Sequence, residues 1–353
     1  MKLRQPKWKT VEYSRTQIIR AGKTIKKDLF RDEQEREETR KIIDNWRAAH
    51  AFPLHIIYTH LRRFAKGNNN IIVAERLKRM NSIISKLKRE PNMSLWTMQD
   101  LGGCRIIVPS IDDVYKYSKI YETSRKRHHR KKIYDYMETP KESGYRSYHV
   151  VYEYHSDSND AYNNNMLIEL QFRTQLQHLW ATAVETMGLL TNQSLKSGQG
   201  SDDVKRFFAL VSSLFAIKEK TTTVPCTPNN PVKIIQEIME LNVKNNYLAQ
   251  LDGIKEIVAY EQNKLSRKST YFVLLLNYVS RKLSVFTFKS SEFEEANQKY
   301  NELEEQKWCG NLDVVLVRVS KFSDLRKAYP NYFNDITTFT NIVRSYINGD
   351  TIP

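Results

Sequence analysis

The sequence predicts an α+β protein: a mixed β-sheet core flanked by helices, followed by a small C-terminal α+β module. Three observations lead there. Short runs at 104–108 (CRIIV), 147–154 (SYHVVYEY) and 166–172 (MLIELQF) read as strands set between longer segments of helical period. The 353 residues exceed the ~250–300 at which a single core stops growing, so two domains are expected. Charge is unevenly spread: residues 1–220 carry 40 Lys+Arg against 25 Asp+Glu, and residues 221–353 carry 16 against 15.

Residues 14–49 read as helix, with Ile18, Ile19, Ala21 and Ile25, then Ile42, Ile43 and Trp46, at helical spacing and Ser14 as N-cap. A second helix follows Pro53, marked by Leu54, Ile57, Tyr58 and Leu61, and a third spans roughly 71–89 with Leu77, Ile83, Ile84 and Leu87 on one face. Pro109 and Ser110 end the strand at 104–108, and 111–122 is again helical. The strand at 166–172 leads directly into a helix over 174–190, and another covers 202–218. The stretch TTTVPCTPNNPV (221–232), with three prolines, reads as a linker between a domain at 1–220 and a module at 233–353. In that module the pattern predicts a helix, strands at 270–277 and 282–288, a charged helix at 290–306, a strand at 312–319 and a last helix near 335–347.

Several classes are excluded. Three scattered cysteines (104, 226 and 309) and no CxxC pair argue against a disulfide framework or a thiolate zinc site. The longest apolar runs, such as 272–276 (FVLLL), fall far short of the ~20 residues that cross a bilayer. No apolar stretch follows the N-terminal charges, so a soluble, cytoplasmic protein without membrane partners is expected. Excess positive charge confined to residues 1–220 favours polyanionic partners such as nucleotides or nucleic acid.

Four clusters carry the chemistry. Arg76, Lys78 and Arg79, with Ser82 and Lys86 on the same helical face as Lys78, form a basic stripe suited to a triphosphate, or a solvated face. Asp100 precedes Gly102, Gly103 and Arg105 at a strand start, where a carboxylate meets Mg²⁺ or caps a turn. The loop 136–149 holds Lys141, Tyr145, Arg146 and His149, which suit phosphate contact and base stacking. In the strand after 166, Glu169, Gln171 and Arg173 point to one face. An acid, an amide and a base inside an apolar strand are costly unless paired or functional.

In order, these clusters resemble the nucleotidyltransferase (pyrophosphokinase) domain of the RelA/SpoT family over roughly residues 45–190. The pattern reads Arg76, Lys78, Ser82, Lys86; Asp100, Arg105; Asp135, Tyr136, Pro140, Lys141, Gly144, Tyr145, Arg146, Ser147, His149; Glu169, Gln171, Arg173, Thr174, His178. Two positions depart from it: Tyr148 stands where Leu is usual, and Tyr134 where Lys is common. The resemblance implies that Arg76, Lys78, Lys86 and Arg105 bind ATP and that Asp100 and Glu169 hold Mg²⁺. It further implies that Tyr145 stacks on the acceptor base and that Glu169 assists deprotonation of the attacking hydroxyl. The β,γ-pyrophosphate of ATP would then move to a 3′-hydroxyl. No His-Asp hydrolase motif precedes the region, so no alarmone hydrolysis is expected.

Arg125, Lys126, Arg127, Arg130, Lys131 and Lys132 put six full charges into eight residues, which suits a longer polyanion or a solvated loop. Here the chain is similar to toxic small synthetases that modify the 3′ CCA end of tRNA, and YSRTQIIRAG (13–22) and NWRAAHAFPL (45–54) look like the fused toxin–antitoxin (CapRel-like) branch. Tyr329-Pro330-Asn331-Tyr332 matches that branch's YxxY element, which implies an autoinhibitory plug released by a phage capsid or other phage protein. A small alarmone synthetase making (p)ppGpp or (p)ppApp is the alternative.

Overall fold

The protein is described by a computed structural model over residues 8–124, 127–191, 195, 200–252, 259–262, 269–277, 280, 282–305, 312–320, 322–329 and 336–351. Arg125, Lys126, Cys309 and Tyr332 lie outside the described residues.

The chain opens with α1 (Arg15–Lys27), α2 (Glu33–Ala49) and α3 (Ala51–Phe64), then β1 (Ile72–Leu77) and α4 (Met80–Arg89). Next come β2 (Gly102–Val108), α5 (Ile111–Thr123), β3 (His129–Asp135), β4 (Tyr148–Glu153) and β5 (Leu167–Thr174), then α6 (Gln175–Leu190) and α7 (Asp202–Lys218). The rest comprises α8 (Pro231–Asn245), α9 (Tyr247–Asp252), β6 (Ala259–Gln262), β7 (Ser269–Asn277), β8 (Lys282–Lys289), α10 (Phe293–Glu305), β9 (Leu312–Arg318), α11 (Phe322–Ala328) and α12 (Thr337–Ile347). The fold is mixed α+β, as expected, around a nine-stranded sheet ordered β3-β4-β5-β2-β1-β9-β7-β8-β6.

Ser14 caps α1 through a reciprocal capping box with Gln17. The helix expected over 14–49 is two helices, because Asp28 adopts a left-handed conformation (φ 55°) that ends the first. The helix expected over 71–89 is a strand followed by a helix. The β-branched start of that segment, Ile71-Ile72-Val73, pairs antiparallel with β2, and only Met80–Arg89 coils. The strand β3 and the seven-residue α11 had no sequence expectation.

One sheet face is covered by α3, α5 and α10, whose Leu54, Ile57, Tyr121, Phe293 and Tyr300 pack on Val73, Cys104, Ile106, Leu170, Val273 and Val314. This cluster draws on both the N-terminal and C-terminal parts of the chain. Helices α8, α9 and α12 bury Ile234, Ile238, Leu248, Phe339 and Val343 against Trp180, Phe207 and Phe208 of α6 and α7. β9 joins the sheet beside β1 through the register pairs Glu75↔Arg318 and Arg76↔Val317. Under that seam, Arg318 pairs with the buried Glu75 at 3.6 Å and donates to Tyr271 Oη at 3.2 Å. Burial pushes the Glu75 carboxyl up to about 7, with Arg318 pulling it back. No described helix is long and apolar enough to cross a membrane.

Candidate active site

The second sheet face carries the polar residues, and strand register arranges them in rows. One row runs Ala74, Arg105, Gln171, His149, Tyr134; the next runs Arg76, Gly103, Glu169, Val151, Lys132. Cross-strand neighbours project to the same side, so each row lies on one surface. The period-2 expectation for Glu169, Gln171 and Arg173 therefore holds, and their partners come from four other strands. A Cβ at Gly103 would meet nothing closer than Arg76 O at 4.0 Å, which leaves open space between Arg76 and Glu169.

Arg76 sits on β1, Lys78 and Arg79 in the turn after it, and Ser82 and Lys86 one turn apart on α4. The single helical stripe expected for these residues is thus replaced by a strand–turn–helix. Lys78 and Lys86 nevertheless converge: Lys78 Nζ donates to Asp100 Oδ2 at 2.7 Å and Lys86 Nζ to Asp100 Oδ1 at 3.0 Å. Burial would raise the Asp100 carboxyl, but the two ammonium groups outweigh it and hold it below the usual range. Burial depresses Lys78, whereas for Lys86 the pull of Asp100 overcomes burial and the ammonium is raised. Glu169 Oε1 faces His149 Nδ1 at 3.0 Å, and Glu169 Oε2 accepts from Gln171 Nε2 at 2.6 Å. Against burial, His149 and these hydrogen bonds keep Glu169 ionised well below the ordinary carboxylate range.

His149 Nε2 lies 2.8 Å from Tyr145 Oη, to which Arg173 also donates. With Nδ1–H donating to Glu169, Nε2 of the same ring meets the phenol, giving a chain Tyr145–His149–Glu169. Gly144 holds the turn before Tyr145 at φ +89°, and a Cβ there would lie 2.8 Å from Trp180 Cζ2. Lys141 Nζ lies 4.6 Å from the Tyr136 ring centroid and 5.5 Å from that of Tyr145. Arg146 points elsewhere: it donates to Thr222 O at 2.7 Å and to Thr221 Oγ1, in the segment before α8. It joins the loop to that segment and does not share the surface with the other acceptor residues.

Arg105 is buried at 8% exposure, and burial next to Arg173 and Arg76 brings its guanidinium down to about 10. It donates to Ala328 O at 3.0 Å and lies 5.7 Å from the Tyr329 ring centroid. Tyr329 is 3% exposed and donates to Glu75 O at 3.4 Å, while His178 Nε2 donates to Lys327 O at 2.9 Å. The end of α11 thus covers Arg105. Asp313 of β9 pairs with Arg79, and the buried Arg47 donates to Lys78 O at 2.7 Å with its guanidinium 4.0 Å from the Tyr300 ring centroid. Sequence reasoning had no signal for Arg47 or Asp313, since neither belongs to one of the four clusters.

In the basic run, Arg127 pairs with Asp157, Arg130 with Glu122, and Lys131 with Glu153 at 2.9 Å. Lys132 has no carboxylate partner among the described residues, and its Nζ lies 5.9 Å from the Tyr134 ring centroid.

No group of three His, Cys, Asp or Glu able to hold a metal occurs among the described residues. A cation at Asp100 and Glu169 would have two hard carboxylates and open positions for water and phosphate, the donor set that suits Mg²⁺.

Comparison with known proteins places these residues in context. Residues 75–188 match the family model described as a region found in RelA/SpoT proteins. GTP pyrophosphokinase YjbM of Bacillus subtilis (strain 168) is 36% identical over 112 residues, covering 31% of this chain and 52% of that protein. GTP pyrophosphokinase YwaC of the same organism is 31% identical over 116 residues, covering 30% of this chain and 52% of that protein. The crystal structure of small alarmone synthetase 1 from Bacillus subtilis bound to its product pppGpp is 28% identical, covers 47% of this chain and 84% of its own, and has a TM-score of 0.40. This chain spans about half the length of the curated relatives it matches.

Proposed function

We propose that the chain is an ATP-dependent pyrophosphokinase that transfers pyrophosphate to the 3′-hydroxyl of the tRNA CCA end and so stops translation. In this reading the C-terminal segment holds the enzyme off as a fused antitoxin until a phage protein releases it. The carrying observation is the sheet face that bears Arg76, Arg105 and Glu169 next to the Tyr145–His149 pair, beside which Lys78 of the turn and Lys86 of α4 converge on Asp100. Transfer of this kind depends on positioning and positive charge more than on covalent catalysis.

Arg76, Arg105, Lys78 and Lys86 bind the phosphates of ATP, the two lysines exchanging Asp100 for phosphate oxygens. Asp100 and Glu169 would hold Mg²⁺, which supplies charge neutralisation on the phosphates. Tyr145 carries the acceptor base, and Glu169, kept ionised and fixed by His149 and Gln171, orients the 3′-hydroxyl. The 3′-oxygen bonds to the β-phosphorus, the bond from that phosphorus to the α,β-bridging oxygen breaks, AMP leaves, and Glu169 takes the hydroxyl proton. Autoinhibition is supported by the position of Tyr329 and Ala328 O on Arg105.

A small alarmone synthetase is the second reading. It is favoured by the carboxylate partners of Arg127, Arg130 and Lys131, which lower the field that a tRNA would meet. Incubating the chain with γ-labelled ATP and either tRNA or GDP, GTP and AMP separates the two: label on tRNA alone supports the first, and label on a mononucleotide the second.

A further inference from the structure

We propose that Tyr134, with Tyr136 and Lys132, forms a second stacking step on the acceptor side, built to hold the nucleotide that precedes the terminal one. The acceptor would then be the single-stranded 3′ end of an oligonucleotide rather than a free nucleotide. This rests on the pyrophosphokinase reading of the same surface and names the residues that set its substrate class.

Tyr134 and Tyr136 lie two residues apart, and Tyr134 stands directly opposite His149 in the register, on the face that carries Glu169. Their rings are parallel to within 6°, with centroids 5.8 Å apart, and Tyr136 meets Tyr145 at 5.8 Å in an edge-on arrangement. Aromatic surface therefore continues from the Tyr145–His149 pair to the sheet edge. Tyr134 is half-buried, and its hydroxyl donates to Gln99 Oε1 at 3.1 Å, which fixes the ring plane. A ring anchored at its hydroxyl and left partly open is a stacking platform rather than a core residue.

The charges fit the same assignment. Three described cations of the basic run are engaged by carboxylates, whereas Lys132, beside the Tyr134 ring, has none among the described residues. A second base on Tyr134 places its linking phosphate between Lys132 and Lys141, whose ammonium lies over Tyr136. A 5′-mononucleotide carries the same phosphate on its 5′ side, but it has no second base to occupy the Tyr134 ring. The α11 end and Tyr329 lie over Arg105, two strands away from β4, so these residues do not cover the Tyr134 surface.

The test is equilibrium binding of AMP, CpA and CpCpA to the full chain, with a methylene analogue of ATP saturating the donor side. CpA and CpCpA should bind about 5- to 100-fold more tightly than AMP, the range that one base–ring stack supplies. Tyr134→Ala should bring CpCpA down to the AMP level and leave AMP within about twofold. Tyr134→Phe keeps the ring and should retain most of the gain, which separates stacking from a folding defect. Lys132→Gln should lower the salt dependence of CpCpA binding. Equal affinities of AMP and CpCpA in the unaltered chain, or a Tyr134→Ala chain that loses both by one factor, would overturn the proposal. Failure of every acceptor to receive pyrophosphate would sink the enzymatic reading instead, and the affinities would still decide the stacking step.

Discussion

Truncating Tyr329 should open the donor side. The ring is 3% exposed, shares a buried cluster with Ile72, Ala74 and Ile107 of β1 and β2, and faces Arg105. Removing a buried aromatic costs about 3–5 kcal/mol, the loss of its cation–π contact included. A detached tail does not bear that cost, so Tyr329→Ala shifts the closed–open balance by at least about 3 kcal/mol, roughly a hundredfold. Apparent affinity scales with the fraction of competent molecules, so ATP should bind up to ~100-fold more tightly until the open state dominates. Tyr329→Phe keeps the ring and loses only the 3.4 Å hydrogen bond to Glu75 O, so its shift should stay below about tenfold. Calorimetric titration of both chains with ATP, alongside far-UV circular dichroism, reads the effect. ATP affinity unchanged within about twofold in a folded Tyr329→Ala chain would refute the reasoning.

Three further outcomes follow from the geometry. Glu169→Gln should abolish transfer while the melting temperature stays within a few degrees, because the Gln carbonyl oxygen still accepts from His149 and only the Gln171 contact is lost; a collapse of the fold would show the carboxylate to be structural. Gly144→Ala forces a Cβ to 2.8 Å from Trp180 at φ +89°, so it should cost about 1–3 kcal/mol in urea unfolding, and no loss would contradict the required turn. Glu75, raised by burial from 4.5 to about 7, holds in the folded chain a proton that the unfolded chain has released. Its stability contribution is complete below pH 4.5 and falls as pH rises to about 7, by at most about 3 kcal/mol. The depressed His50 and His55 act in the opposite sense, so the comparison is between chains: Glu75→Gln should gain stability relative to the parent between pH 5 and pH 8. An equal offset at both pH values would contradict the assignment.

The sequence made the polar sheet face legible where period and chemistry coincide. Glu169, Gln171 and Arg173 alternate inside an apolar run, and only a strand puts them on one side. Arg76 was placed on a helix because Leu77, Ile83 and Leu87 keep helical spacing, and pairing of Ile72–Leu77 with β2 overrode that local pattern. β3 escaped because HRKKIYD is an exposed edge strand with no buried face to impose alternation. The carboxylate partners of the basic run are spread over residues 122, 153 and 157, contacts that one strand's spacing does not encode. Tyr329 was legible through its motif, but its partner Arg105 lies more than two hundred residues earlier, and a pairing at that distance is settled only by the register of β9 on β1.

The most direct measurement follows γ-labelled ATP with tRNA in the full chain, comparing the parent protein with Tyr329→Ala. The account predicts label at the tRNA 3′ end with equimolar AMP, faint in the parent and strong in the variant. Label released as orthophosphate, or no AMP formed by either chain, would contradict it.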